Sequence, residues 1–203
     1  MPSDRKVDGM LMDRGAGRRH ACWREPQVHT AWTDAFNKLV GRTGRDGFLA
    51  VLLGMPGTGK TQMATEWLRF VLASTKDEKN IEAYAPGWMA SHVLYRKVSD
   101  VFRDIRETYS VRDKAERGVV DRFRHVQSLV LDEIDNRART DFEARSLRDI
   151  LDDRYRETRD TLLITNIRSR SAFLHELPEY LCSRLSECGL FIECNWPSFR
   201  EKR

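Results

Sequence analysis

The run GMPGTGKT at residues 54–61 fits the spacing G-x-x-x-x-G-K-[ST], and each of its positions has a task in holding a polyphosphate. Gly54, Gly57 and Gly59, with Pro56 and Thr58 between them, let the main chain wrap close to phosphate oxygens, so that backbone N–H groups and the start of the following helix face the anion. Lys60 is placed to reach the β- and γ-phosphates, and the Thr61 hydroxyl to hold Mg²⁺. Further along, SLVLDEID delivers Asp132 and Glu133 to the end of an apolar run, where an open α/β sheet presents its ligand-binding edge. Asp132 suits the metal beside Thr61, and Glu133 suits the general base that orients and deprotonates an attacking water. LLITN ends on Thr165 and Asn166, a polar tip able to hold that water against the γ-phosphate. No [NT]KxD guanine-specificity motif occurs anywhere, so the expected nucleotide is ATP.

These residues need a scaffold that brings three strand ends together. GFLAVLL at 47–53, VQSLVLDEID at 126–135 and TLLITN at 161–166 are apolar runs of the kind buried on both faces of a parallel sheet. A short strand is expected within IEAYAPGWMA at 81–90, and a last one in GLFIECNW at 189–196. Between them lie helical patterns. VHTAWTDAFNKLV at 28–40 repeats Val28, Trp32, Phe36 and Leu39, and residues 60–75 carry Met63, Ala64, Trp67, Phe70 and Val71 on one face. Residues 91–110 place Leu94, Val98, Val101 and Ile105 on one stripe, and further helices are expected over 113–125, over 141–157 and around Leu174 and Leu181. Strands alternating with helices predict an α/β fold, a parallel sheet flanked by helices, of the P-loop NTPase type. Residues 1–28, rich in Gly and Arg without a sustained period, are expected to form a flexible basic arm, and 29–203 the ATPase domain.

Composition fits that picture. The chain has 203 residues, 33% of them charged, and a formal net charge of +4, a mild lean toward a polyanionic partner. It contains no 18-residue apolar run and no apolar signal segment near residue 1, so a cytoplasmic location and no membrane contact are expected. Cys22, Cys182, Cys188 and Cys194 include no CxxC pair, and reduced thiols are expected rather than a zinc site.

The ordered set of P-loop, LVLDE, strand-end TN, LPEYLCSRL and NWPSFR, from about residue 30 to the end, resembles the AAA+ ATPases of the DnaC and IstB group. The closing FIECNWPSFR is the most specific part of the resemblance. It implies an AAA+ domain without a full C-terminal lid and a sensor arginine, Arg200, touching the nucleotide of its own subunit. Trp196 and Phe199 are expected to anchor that turn by burial. Arg184, in CSRLSECG, matches the family's arginine finger, given to the neighbouring subunit's site, which implies a ring or spiral self-oligomer. The family places single-stranded DNA contacts between the second strand and Asp132. There Arg96, Lys97, Arg103 and Arg106 accompany Tyr95, Phe102 and Tyr109, phosphate charges mixed with stacking rings. The interleaved Asp100, Asp104 and Glu107 equally fit a salt-bridged surface.

The function this resemblance implies is a replicative helicase loader that hydrolyses ATP with Mg²⁺, with the helicase and single-stranded DNA as partners. Loaders of the group carry a folded N-terminal domain for the helicase, where this chain has some thirty residues. A transposition helper, with a transposase as partner, and an ATP-gated adaptor of little turnover therefore stay open.

Overall fold

A computed structural model describes residues 4–22, 29–44, 47–74, 92–108, 114–135 and 140–200. Five strands, β1 (Leu49–Leu53), β2 (Val93–Lys97), β3 (Ser128–Asp132), β4 (Asp160–Ile164) and β5 (Gly189–Glu193), form one sheet in the order β2-β3-β4-β1-β5. Every pairing is parallel, with Val51 opposite Leu163 and Phe191, and Val130 opposite Tyr95 and Leu162.

Period-two alternation divides each strand between two cores. Ala50, Leu52, Val130, Leu162 and Ile164 face one side, where α3 (Thr30–Val40) and α4 (Lys60–Ser74) bring Trp32, Leu39, Met63, Trp67 and Leu68. Leu49, Val51, Leu53, Leu129, Leu131 and Leu163 face the other side. There they meet α5 (Val98–Thr108), α6 (Lys114–His125), α7 (Asp141–Arg156), α8 (Arg170–Glu176) and α9 (Glu179–Cys188). Both faces are covered, which is why β1, β3 and β4 read as unbroken apolar runs rather than alternating ones.

Two expectations are corrected. Residues 93–97 are a strand and not the first turns of a helix: Val93, Leu94 and Tyr95 are buried, and the segment pairs with β3 along its length. Leu94 does join Val98, Val101 and Ile105 in one core, but from the sheet, so the helical stripe begins only at Val98. The strand expected within 81–90 lies outside the described residues, as does Tyr109. The other correction concerns the flexible arm. Residues 4–22 form α1 (Asp4–Asp13) and α2 (Arg18–Ala21) and pack on α4. Leu11 and Ala21 are fully buried, Arg69 joins Asp8 at 2.8 Å and donates to the Ala21 carbonyl, and the Tyr95 N–H donates to Arg14 O at 2.9 Å. The last bond satisfies one donor on the outer edge of β2, an edge that otherwise has no strand beside it.

At the N-terminal ends of β3 and β4 Arg154 is fully buried. Its guanidinium donates to Thr161 Oγ1 and to the carbonyls of Phe123, Val126 and Asp160 at 2.6–2.9 Å, which ties α7 to the ends of α6 and β4. Burial pulls its pKa down to about 9, and the ring of carbonyls is what makes a cation tolerable there.

Candidate functional site

The sheet order sets the site. With β4 between β3 and β1, the acids ending β3, the Thr165–Asn166 tip of β4 and the loop after β1 all meet at the C-terminal edge. Main-chain bonds fix their spacing: Ile134 N–H to Ile164 O at 3.0 Å, Thr165 N–H to Leu52 O at 3.0 Å, and Gly54 N–H to Ile167 O at 2.9 Å. Asn166 is exposed at that tip, while Thr165 beneath it is buried and accepts the Ile167 N–H.

The loop after β1 is braced from its outer side. The Phe199 N–H donates to Gly57 O (2.9 Å), Trp196 Nε1 to Thr58 O (2.8 Å) and Trp32 Nε1 to Gly59 O (3.4 Å). Because a trans peptide points its N–H opposite to its carbonyl, the N–H groups of Thr58, Gly59 and Lys60 are turned to the inner side. Gly57 and Gly59 have φ of 91° and 81°, a region that disfavours side chains. A Cβ on Gly57 would stand 2.1 Å from Ser198 Oγ, and one on Gly59 3.0 Å from the Phe199 ring. Close approach of the C-terminal turn therefore requires both glycines.

Lys60 is buried and donates from Nζ to Gly54 O at 2.6 Å and Met55 O at 2.8 Å. Burial lowers its pKa, countered by the negative charge of Asp132 and Asp135 among others. Thr61 Oγ1 donates to Asp132 Oδ2 at 3.3 Å, and Asp132 Oδ1 accepts the Glu133 N–H at 2.8 Å. Glu133 itself has φ of 58°, an unusual conformation for a side-chain-bearing residue that recurs at functional sites. Its Oε1 accepts from Lys97 Nζ at 2.7 Å. That bond is the main reason the Lys97 pKa is raised.

Hydroxyl and carboxylate oxygens beside a phosphate cradle are the hard donor set that suits Mg²⁺. Thr61 and Asp132 are already joined in a way that would hold it.

The other expected site residues fall differently. Arg200 is brought to the P-loop, its Cδ within 3.4 Å of the position a Gly57 Cβ would take, and its charge is felt at Lys60. Trp196 is partly buried and anchored by its indole, but Phe199 stays 42% exposed. The expected burial of Phe199 is therefore corrected: its ring edge covers Gly59 without entering a core. Arg184, on α9 a turn before β5 begins, lies toward the far edge of the sheet. Its guanidinium sits over the Tyr155 ring at 4.5 Å and 3.7 Å from Asp152.

The cations of the expected DNA-contacting stretch are all engaged inside the chain. Arg96 donates to Arg14 O and lies 3.6 Å from Asp104, Lys97 holds Glu133, Arg103 pairs with Asp100 at 2.8 Å, and Arg106 with the buried Glu143 at 2.6 Å. Arg96 and Lys97 lie on β2, not on a helix. Tyr95 is buried and turned onto Asp132, so its expected role as a stacking ring is withdrawn.

Tyr95 and Lys97 are site residues that reading by sequence placed elsewhere. They stand two apart on a strand, one set to each acid, an alternation visible only once 93–97 is read with period two.

The sequence matches no family model and no curated protein. The fold does have solved neighbours. The DnaC helicase loader superposes with a TM-score of 0.60 at 18% identity, over 82% of this chain and 92% of that one. DnaI gives 0.60 at 18%, over 83% and 87%. The replication initiator DnaA, in a structure with AMPPCP and single-stranded DNA, gives 0.62 at 14%, over 86% of this chain. The chain spans about half the length of that DnaA chain. The shared feature is the five-stranded parallel sheet and its helices, an AAA+-type P-loop fold. Among the described residues only the turn at 194–200 follows β5, and no helix is long and apolar enough to cross a membrane.

Proposed function

We propose that this protein is a Mg²⁺-dependent AAA+ ATPase of DNA replication, a DnaC-like helicase loader that self-assembles, engages single-stranded DNA and works in the cytoplasm. The observation that carries the proposal is the meeting of Lys60, Thr61, Asp132, Glu133, Asn166 and Arg200 at one sheet edge. The likeness to DnaC and DnaI supports a replicative helicase as partner, and the DnaA complex supports nucleotide and single-stranded DNA as ligands.

In this mechanism the inward N–H groups of the P-loop and the Lys60 ammonium bind the β- and γ-phosphates. Mg²⁺, when bound, neutralises charge on phosphate oxygens, and Thr61 and Asp132 are the residues that would hold it. Asn166 orients the water, Glu133 takes its proton, and oxygen attacks the γ-phosphorus as the bond to ADP breaks. Arg200 reports the state of the nucleotide to the turn at 195–200. Arg184, which lies over the Tyr155 ring beside Asp152 and has no contact with its own P-loop among those described, would be offered to a neighbouring subunit.

Trans action by Arg184 has a direct test. Specific ATPase activity should rise with protein concentration. Arg184→Ala and Lys60→Ala should each be inactive alone, and mixed they should recover measurable turnover, because one supplies a site and the other a finger worth about 10³-fold or more. A mixture as inactive as its components overturns the shared site, and turnover indifferent to both concentration and DNA moves the protein to the adaptor class.

Arg103, 58% exposed and paired with the surface Asp100, is the cleanest DNA probe, since changing Arg106 would also strip the ion pair from buried Glu143. Arg103→Ala should weaken binding of a labelled single strand and reduce the log–log salt slope by roughly 0.7, with nucleotide affinity unchanged. An unaltered slope removes this helix from the DNA path.

A further inference from the structure

The two acids at the end of β3 are each met by a donor from β2. Lys97 serves Glu133, as above. Two residues earlier the Tyr95 hydroxyl donates to Asp132 Oδ2, the same oxygen that accepts Thr61. Asp132 Oδ1 is taken by the Glu133 N–H, so both carboxylate oxygens are oriented. Asp132 is 7% exposed and Tyr95 5%, and in so dry a place a carboxylate without donors is costly. The phenol is itself immobile. Its main chain pairs opposite Val130 and donates to Arg14 O, and its ring packs in the core beside α4. A phenylalanine would fill that space as well, and what the hydroxyl adds is a fixed donor on the acid, with the Thr61 hydroxyl beside it.

From this we infer that Tyr95 is a positioning residue for the metal-bearing carboxylate, setting the rotamer in which Asp132, together with Thr61, receives Mg²⁺ at the nucleotide site. The inference rests on the ATPase reading above. Partners that orient a metal's ligands commonly matter about 10- to 100-fold in metal affinity. Here the donor reaches the acid from a strand whose outer edge meets Arg14, so one residue, Tyr95, touches the N-terminal segment through its main-chain N–H and Asp132 through its hydroxyl.

The test compares the full chain with Tyr95→Phe, reading binding of a fluorescent non-hydrolysable ATP analogue in a Mg²⁺ titration, in EDTA, and alongside a thermal melt without metal. The Mg²⁺ midpoint should rise about 10-fold, while affinity in EDTA stays within about twofold and melting within a few degrees, as suits a residue acting through the metal. In an Asp132→Asn background the same change should add less than about twofold, as non-additivity within one network requires. Equal Mg²⁺ midpoints for parent and Tyr95→Phe overturn the inference and leave the ATPase reading standing. Loss of cooperative melting in Tyr95→Phe also overturns it, since the hydroxyl would then serve the fold. A parent that binds no nucleotide, or binds it without regard to Mg²⁺, overturns the ATPase reading and this inference with it.

Discussion

Glu133→Gln is expected to bind ATP as tightly as the parent and to lose turnover by roughly 10²- to 10⁴-fold, the range supplied by a positioned general base. The amide keeps the size of the side chain and can still accept from Lys97 Nζ through its carbonyl, now without the ionic component of that 2.7 Å contact. It cannot take a proton from water. The main chain is left alone: the φ of 58° at position 133 is set by the Glu133 N–H bond to Asp132 and the Ile134 N–H bond to Ile164 O, neither of which involves the changed group. The variant should therefore accumulate in its ATP-bound assembled state, seen as a larger species in sizing or light scattering with ATP. Equilibrium binding and single-turnover hydrolysis measured on one preparation decide the matter. Hydrolysis at the parent rate would move the base elsewhere.

Lys60→Ala is expected to act one step earlier and remove nucleotide binding, with affinity falling by about 100-fold or more. The ammonium is buried and donates to the carbonyls of Gly54 and Met55, weaker acceptors than phosphate oxygens. A phosphate oxygen carries a negative charge that a carbonyl lacks, and the attraction of unlike charges is strong in a partly desolvated place, so a triphosphate should draw Nζ off both carbonyls. The alanine variant leaves those carbonyls without that donor, at about 1–3 kcal/mol for a buried group, so a melt without nucleotide must accompany the titration. Lost binding with a preserved melt supports the phosphate role. Parent-like affinity would show that the loop cradles something other than a nucleotide phosphate.

Much of the candidate site is legible in the sequence because its logic is local. Gly54 to Thr61 lie within eight consecutive residues, and their backbone demands can be read without knowing any neighbour. Asp132 and Glu133 were found because a run buried on both faces has to end somewhere, and acids at that end have few purely structural reasons to be there. The turn at 194–200 was located by resemblance, and the structure seats it on the P-loop, although through the Trp196 indole and the Phe199 N–H rather than through burial of the Phe199 ring.

The misreadings share a cause. In residues 93–97 two periodicities compete: Leu94 continues the helical stripe of Val98, Val101 and Ile105, and it equally fits a strand. Only a partner resolves them, and that partner, β3, begins some thirty residues later. The N-terminal residues lack a sustained period, which on sequence alone predicts an arm. They fold against a surface that other segments build, α4 and the free edge of β2, with Arg69 and Tyr95 as their anchors.

By itself, then, the sequence determined the chemistry on offer and the alternating scaffold, since glycine stereochemistry, charge and the burial of apolar runs act over a few residues at a time. Tertiary structure decided which groups meet. Tyr95 reaches Asp132 across 37 positions, Lys97 reaches Glu133 across 36, and Trp196 reaches Thr58 across 138. Such pairings depend on strand order and register, and these are chosen by the packing of both sheet faces at once, a property of the whole chain that no single stretch carries.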